Sequence, residues 1–181
     1  MTWNDGLFTC RIDAYTSATD LPLPFVGSVR CLVLVDDQVV VCTNKDGNSH
    51  PWPGGRRDEG ETFVETACRE IHEETGWLLE PDSLEPIGWL HLEHLKDRPP
   101  GNQYEHADFF MVVYAGRAHD RDGGRDNEWT DTEGHEISSV LAASIDDAIA
   151  LVADDEHISL PFLELLREYA SRGSPPPRTP G

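Results

Sequence analysis

Between residues 7 and 16 the chain reads LFTCRIDAYT, with Phe8, Cys10 and Ile12 alternating with polar positions. A period of two puts those side chains on one face of a strand. A Pro-rich connection, LPLP at 21–24, leads to two apolar runs, SVRCLVLV (28–35) and VVVCT (39–43). Both predict strands, and Asp36-Asp37-Gln38 between them predicts a hairpin turn. The stretch KDGNSHPWPGGRRDEGE is made of turn formers and predicts a loop. From Thr62 the period changes. Val64, Ala67, Cys68 and Ile71 recur at i, i+3, i+4 and i+7, the stripe of a helix with one buried face. Thr62 and Glu65 have capping-box spacing at its start, and Gly76 stands where a helix stops. LEPIGWLHLEHL (84–95) and ADFFMVVYAGRA (107–118) predict two longer strands. A charged loop fills 119–136, and a short strand is expected at 136–141. Ser144 and Asp147 cap a second helix running to about Val152. SLPFLELLREYAS (159–171) predicts a third, with Phe162, Leu165, Leu166 and Tyr169 on one stripe. The Pro-rich ending RGSPPPRTPG predicts a disordered tail.

Strands before and after a central helix, then two C-terminal helices, imply an α/β fold: a mixed sheet covered by helices on its faces. The expected organisation is an N-terminal strand and connection (1–24), a core (25–155), a C-terminal helix packed on it (156–172) and the tail (173–181).

Charge narrows the partners. The 181 residues carry 34 Asp plus Glu against 14 Lys plus Arg, a net charge of −20. Such a chain is repelled by a phosphate backbone or an anionic leaflet, which argues against nucleic acid polymers and membrane surfaces. A small anionic substrate stays possible if metal ions neutralise it locally. No apolar run approaches the roughly 20 residues of a membrane span. The start, MTWNDGLFTC, has neither a basic nor an apolar signal region, so a cytoplasmic protein is expected. Cys10, Cys31, Cys42 and Cys68 lack paired-motif spacing and read as reduced small hydrophobes. A Cys31–Cys42 bridge across neighbouring strands is the less favoured alternative.

The first helix poses a question of its own. Glu70, Glu73 and Glu74 crowd its C-terminal end, on a face separate from the apolar stripe. An anion there opposes the helix dipole at about 0.3–1 kcal/mol. The Glu70–Glu74 repulsion adds roughly 0.2–0.5 kcal/mol. Either the three are solvated, or something positive sits among them. Mg²⁺ would suit, because it takes carboxylates, waters and substrate phosphates.

The flanking residues sharpen the choice. Gly55, Glu61 six residues on, and Arg69-Glu70-Ile71-His72-Glu73-Glu74-Thr75-Gly76-Trp77 resemble the Nudix box, G-x5-E-x7-R-E-U-x-E-E-x-G-U, at every fixed position. Ile71 and Trp77 are hydrophobic as required, and Pro53-Gly54-Gly55 resembles the usual lead-in. Asp58 stands where many members have Glu, outside the strict signature.

The resemblance implies a Nudix α/β/α sandwich with a mixed β-sheet between helices. It implies a pyrophosphohydrolase that cleaves a phosphoanhydride bond of a nucleoside diphosphate linked to X by metal-assisted attack of water, with Mg²⁺ or Mn²⁺. By matching positions, Glu70, Glu73 and Glu74 are the implied metal ligands, joined by a carbonyl of Gly54 or Gly55. Glu61 and Arg69 are implied to pair behind them and hold the carboxylates. The catalytic base is implied to be a box glutamate, Glu70 or Glu73, or an acid from a distant loop, with Glu133 first, Glu136 second, and Glu105 and His106 behind. Arg56 and Arg57 are candidate substrate-phosphate contacts, ahead of Arg30 and Lys45. Trp52, Trp89 or Tyr104 could stack on a base, although Trp89 reads better as core. His91 and His94, three apart on a strand, face opposite ways and do not suit one metal. The alternative is a catalytically silent Nudix-fold nucleotide-binding or regulatory protein, which would be expected to lose box glutamates; an isomerase on this fold has no particular support. The partner is a small phosphorylated nucleotide, by elimination a nucleoside triphosphate or an oxidised nucleotide. Monomer and homodimer stay open.

Overall fold

The computed structural model describes residues 2–3, 8–44, 47–95, 108–124, 136–152 and 156–173. In chain order the elements are β1 (Thr2–Trp3), β2 (Phe8–Tyr15), β3 (Val26–Val35), β4 (Gln38–Asn44) and β5 (Ser49–His50). Then come α1 (Phe63–Thr75), β6 (Trp77–Leu79), β7 (Glu85–His94), β8 (Asp108–Arg121), β9 (Glu136–Ala142), α2 (Ile145–Leu151) and α3 (Glu156–Ser171).

The apolar run of β3 forms the middle of the sheet. Its Val29, Cys31, Val33 and Val35 pack with Ala67 and Ile71 of α1. Its Leu32 and Leu34 pack with Phe162, Leu163 and Leu166 of α3. A strand buried on both faces reads as a continuous apolar run rather than an alternation. The order is β1-β2-β7-β8-β3-β4-β5, with β6 on β8 and β9 on β4. Only β3 and β8 pair in parallel among the described strands, so the sheet is mixed, with α1 on one face and α2 and α3 on the other. The hairpin turn is two residues, Asp36-Asp37, because Val35 pairs with Gln38. Asp36 takes the left-handed backbone there at φ 55°, a conformation its short polar side chain tolerates.

Helix α1 begins as expected. Glu65 N–H donates to Thr62 Oγ1 at 3.2 Å, and Glu65 Oε2 accepts from Thr62 N–H at 2.8 Å. Gly76 closes it at φ 73° with its N–H on the His72 carbonyl. Thr62→Ala removes the side-chain half of this cap and should cost about 1 kcal/mol. That is a fall in melting temperature of roughly 2–4 °C for a chain of this size, readable by calorimetry.

Three expectations need correction. Helix α3 starts at Glu156 rather than at 159, and it holds Pro161 inside. Strand β8 runs on to Arg121, since Trp77–Leu79, too short to signal itself, pairs with it as β6. Trp52 is no exposed stacking platform: it is 8% exposed and meets the Phe162 ring edge-on at 5.4 Å. Trp89 is core as expected, stacked on Tyr15 at 3.8 Å. None of the four cysteines is in a disulfide, so the Cys31–Cys42 bridge does not form. His91 stacks on Phe110, whereas His94 Nδ1 meets Cys10 Sγ at 3.5 Å. The expected tail, from Ser174 onward, lies outside the described residues. No described helix is long and apolar enough to cross a membrane.

Candidate active site

The glycine-rich segment docks on β3. Cys31 N–H donates to the Pro53 carbonyl and Val29 N–H to the Gly55 carbonyl, each at 2.9 Å. The Ser28 hydroxyl adds a second bond to the Gly55 carbonyl at 2.6 Å. Gly54 holds φ 137°, and a Cβ on it would strike the Val29 carbonyl. A Cβ on Gly55 would fall on the Glu70 carboxylate. The two glycines therefore let the carboxylates of α1 come down onto bare backbone. Gly54 N–H donates to Glu74 Oε2 at 2.6 Å.

Arg69 organises the remaining acids. Its Nε donates to Glu61 Oε1 at 2.8 Å and its Nη2 to Glu61 Oε2 at 3.0 Å, a two-pronged pair. Its Nη1 bridges Glu70 Oε1 at 2.9 Å and Glu73 Oε2 at 3.0 Å. Nη2 also reaches the Arg56 carbonyl at 3.0 Å, tying helix to loop. The positive charge asked for among the glutamates is thus present: one guanidinium nitrogen sits between two of them. Glu70 is the more enclosed, with its side chain 13% exposed against 39% for Glu73. Burial pushes the Glu70 carboxyl up, and Arg69 opposes that.

Three partners hold Glu61 ionised. The Arg69 hydrogen bond comes first, then the Asp58 N–H at 3.1 Å and the Thr66 hydroxyl at 2.9 Å. Together they lower its carboxyl to about 2. A depressed carboxylate pKa contributes stability above the unfolded value and loses it as pH falls. Native protein should therefore be more stable than Glu61→Gln above pH 4.5, the difference closing as pH falls from 4.5 towards 2. Thermal melts across that range check it. A constant gap would mean that the pair does not titrate as drawn.

The structure brings together Gly54, Gly55, Glu61, Arg69, Glu70, Glu73 and Glu74, the group that the family resemblance implies. Arg57 is exposed and has contacts at the start of α1. Its guanidinium lies over the Phe63 ring at 5.0 Å and Nη1 meets the Glu61 carbonyl at 3.4 Å. Arg56 has an exposed side chain and gives its carbonyl to Arg69. Arg30 acts on Glu70 through its charge. Glu136 opens β9 opposite Asn44. Lys45, Tyr104, Glu105, His106 and Glu133 lie outside the described residues. Ser28 and Thr66 went unnoticed in the sequence. Ser28 stands 27 positions from its partner, and no local pattern connects them.

The set suits a hard divalent cation. Glu70 and Glu73 already reach one cationic nitrogen together, and the oxygen donors match the preference of Mg²⁺ or Mn²⁺. Among the described residues no group of three or more His, Cys, Asp or Glu side chains is arranged to hold a metal ion by itself. An ion completed by water and phosphate does not require one.

A family model described as the NUDIX domain matches residues 24–166. No curated protein sequence matches the chain. Among solved structures, a Bacillus subtilis pyrophosphohydrolase is similar at TM-score 0.58 and 14% identity, over 87% of this chain and 90% of its own. A Nudix hydrolase from Nitrosomonas europaea is similar at TM-score 0.53 and 19% identity, over 82% and 90%. The E. coli dihydroneopterin triphosphate pyrophosphohydrolase follows at TM-score 0.51 and 17% identity, over 76% and 94%. At these identities the likeness is one of fold.

Proposed function

Since this chain belongs to the Nudix family of hydrolases, we propose that it hydrolyses a phosphoanhydride bond of a nucleoside diphosphate linked to X. The proposed substrate class, reached by elimination, is a nucleoside triphosphate or an oxidised nucleotide. The observation that carries the reading is the meeting of Glu70 and Glu73 on one Arg69 nitrogen, beside Glu74 on the Gly54 N–H.

Glu70, Glu73 and Glu74 would hold Mg²⁺ or Mn²⁺. The Gly54 carbonyl would join them, because that of Gly55 already accepts two hydrogen bonds. The ion supplies charge neutralisation of the pyrophosphate and acidifies bound water. Glu61 keeps Arg69 extended, and Arg69 keeps Glu70 and Glu73 aimed at one point. Pairing of this kind behind a metal site holds ligands oriented. Water adds its oxygen to one phosphorus, and the bridging P–O bond breaks with its electron pair on the departing phosphate. The proton of that water passes to a carboxylate, Glu70, Glu73 or Glu133.

The test is a substrate panel with Mg²⁺ or Mn²⁺: canonical and oxidised nucleoside triphosphates, ADP-ribose, NADH, nucleotide sugars and dinucleoside polyphosphates. Products are separated by ion exchange. Metal-dependent cleavage of nucleoside triphosphates is the expected result. Cleavage confined to another class corrects the substrate, and no cleavage with tight binding of one member overturns the catalytic reading.

A further inference from the structure

A second arginine holds the end of α1. Arg121, at the end of β8, is 8% exposed. Its Nε donates to the Thr75 carbonyl at 2.9 Å and its Nη2 to the Ser139 hydroxyl at 3.2 Å. Its guanidinium lies 5.6 Å from the centre of the Trp77 ring. The next residue extends the grip. Asp122 N–H donates to the Gly76 carbonyl at 3.0 Å, and Asp122 Oδ2 meets His72 Nε2 at 2.9 Å. These contacts reach the last residue of α1, its cap and the residue after the cap.

The last turn of a helix presents carbonyls with partial negative charge. Here it also carries Glu73 and Glu74. A guanidinium is permanently charged, and its fork fixes direction as well as charge. Arg121 therefore offsets the partial negative charge of the Thr75 carbonyl, and it anchors the turn to β8 and β9.

We propose that Arg121 is a positioning residue for the divalent-cation site: acting through Thr75, it fixes the C-terminal turn of α1 so that Glu73 and Glu74 meet the ion at one defined place. The proposal rests on the divalent-cation reading of that site. Two effects oppose each other. A nearby cation weakens binding of another cation, whereas a fixed ligand turn strengthens it. The proposal states that fixing wins.

The experiment is Mn²⁺ binding to the full chain without nucleotide, followed by the electron paramagnetic resonance signal of free Mn²⁺, with thermal melting as the check of folding. Arg121→Gln should bind Mn²⁺ about tenfold more weakly, within the range seen when groups behind a metal site are removed. Arg121→Lys keeps the charge and loses the fork, so it should fall between, about threefold weaker than native. Folded Arg121→Gln binding Mn²⁺ as tightly as native, or more tightly, would overturn the proposal. Should Arg121→Gln fail to fold, Arg121→Lys decides: native affinity overturns the proposal and about threefold weakening supports it. Native protein that binds no Mn²⁺ would instead sink the cation reading itself, before any variant is compared.

Discussion

Glu73→Gln should lower metal-dependent hydrolysis about a hundredfold or more, roughly 2.7 kcal/mol of barrier, while leaving the fold intact. The substitution keeps shape and removes one negative charge from the site. The fold should tolerate it, because the Glu73 side chain is 39% exposed and contributes a single bond to Arg69 among the contacts described. Exposed pairs of this kind are worth about 0–1 kcal/mol, so melting should move by only a few degrees. The measurement is initial rate against Mg²⁺ concentration with whichever nucleotide the panel identifies. A drop that excess Mg²⁺ partly restores would place Glu73 on the ion. A drop insensitive to Mg²⁺ would favour a role as base. Full activity would move the site away from the C-terminal turn of α1.

The second large effect concerns backbone. Gly54→Ala should destabilise the protein by about 2–6 kcal/mol. Roughly 1–3 comes from holding a side chain at φ 137° and another 1–3 from its collision with the Val29 carbonyl. For a chain of this size that lowers the melting temperature by about 5–20 °C. Neither partner yields easily, since the obstacle is the backbone of β3, a strand buried on both faces. If the loop lifts away to relieve the clash, Gly54 N–H leaves Glu74. Activity should then fall with stability, whereas Glu73→Gln separates the two. An unchanged melting temperature would show that Pro53–Gly55 does not lie against β3.

Much of the candidate site was legible because it is local. In a helix, residues three and four apart share a face, so Glu70, Glu73 and Glu74 were bound to lie together once α1 formed. Thr62, Glu65 and Gly76 made that helix plain by capping it. The pairing of Arg69 with Glu61 came from the family resemblance, and the structure adds that one arginine also bridges Glu70 and Glu73. The strands of the core were legible where several apolar residues ran together, as in β3. They were not where three residues, Trp77–Leu79, gain strand form only by pairing with β8.

The sequence by itself determined the elements with their own periodicity, the caps of α1 and the carboxylate cluster, since dihedral preferences and helical pitch fix these over a few residues. Beyond the β3–β4 hairpin, tertiary structure alone decided which strand lies beside which, including the parallel β3–β8 pair. It seated Gly55 under Glu70 and gave its carbonyl to Ser28. It also carried Arg121 across 46 positions to the Thr75 carbonyl. Such contacts depend on how the sheet closes, and no spacing along the chain encodes that.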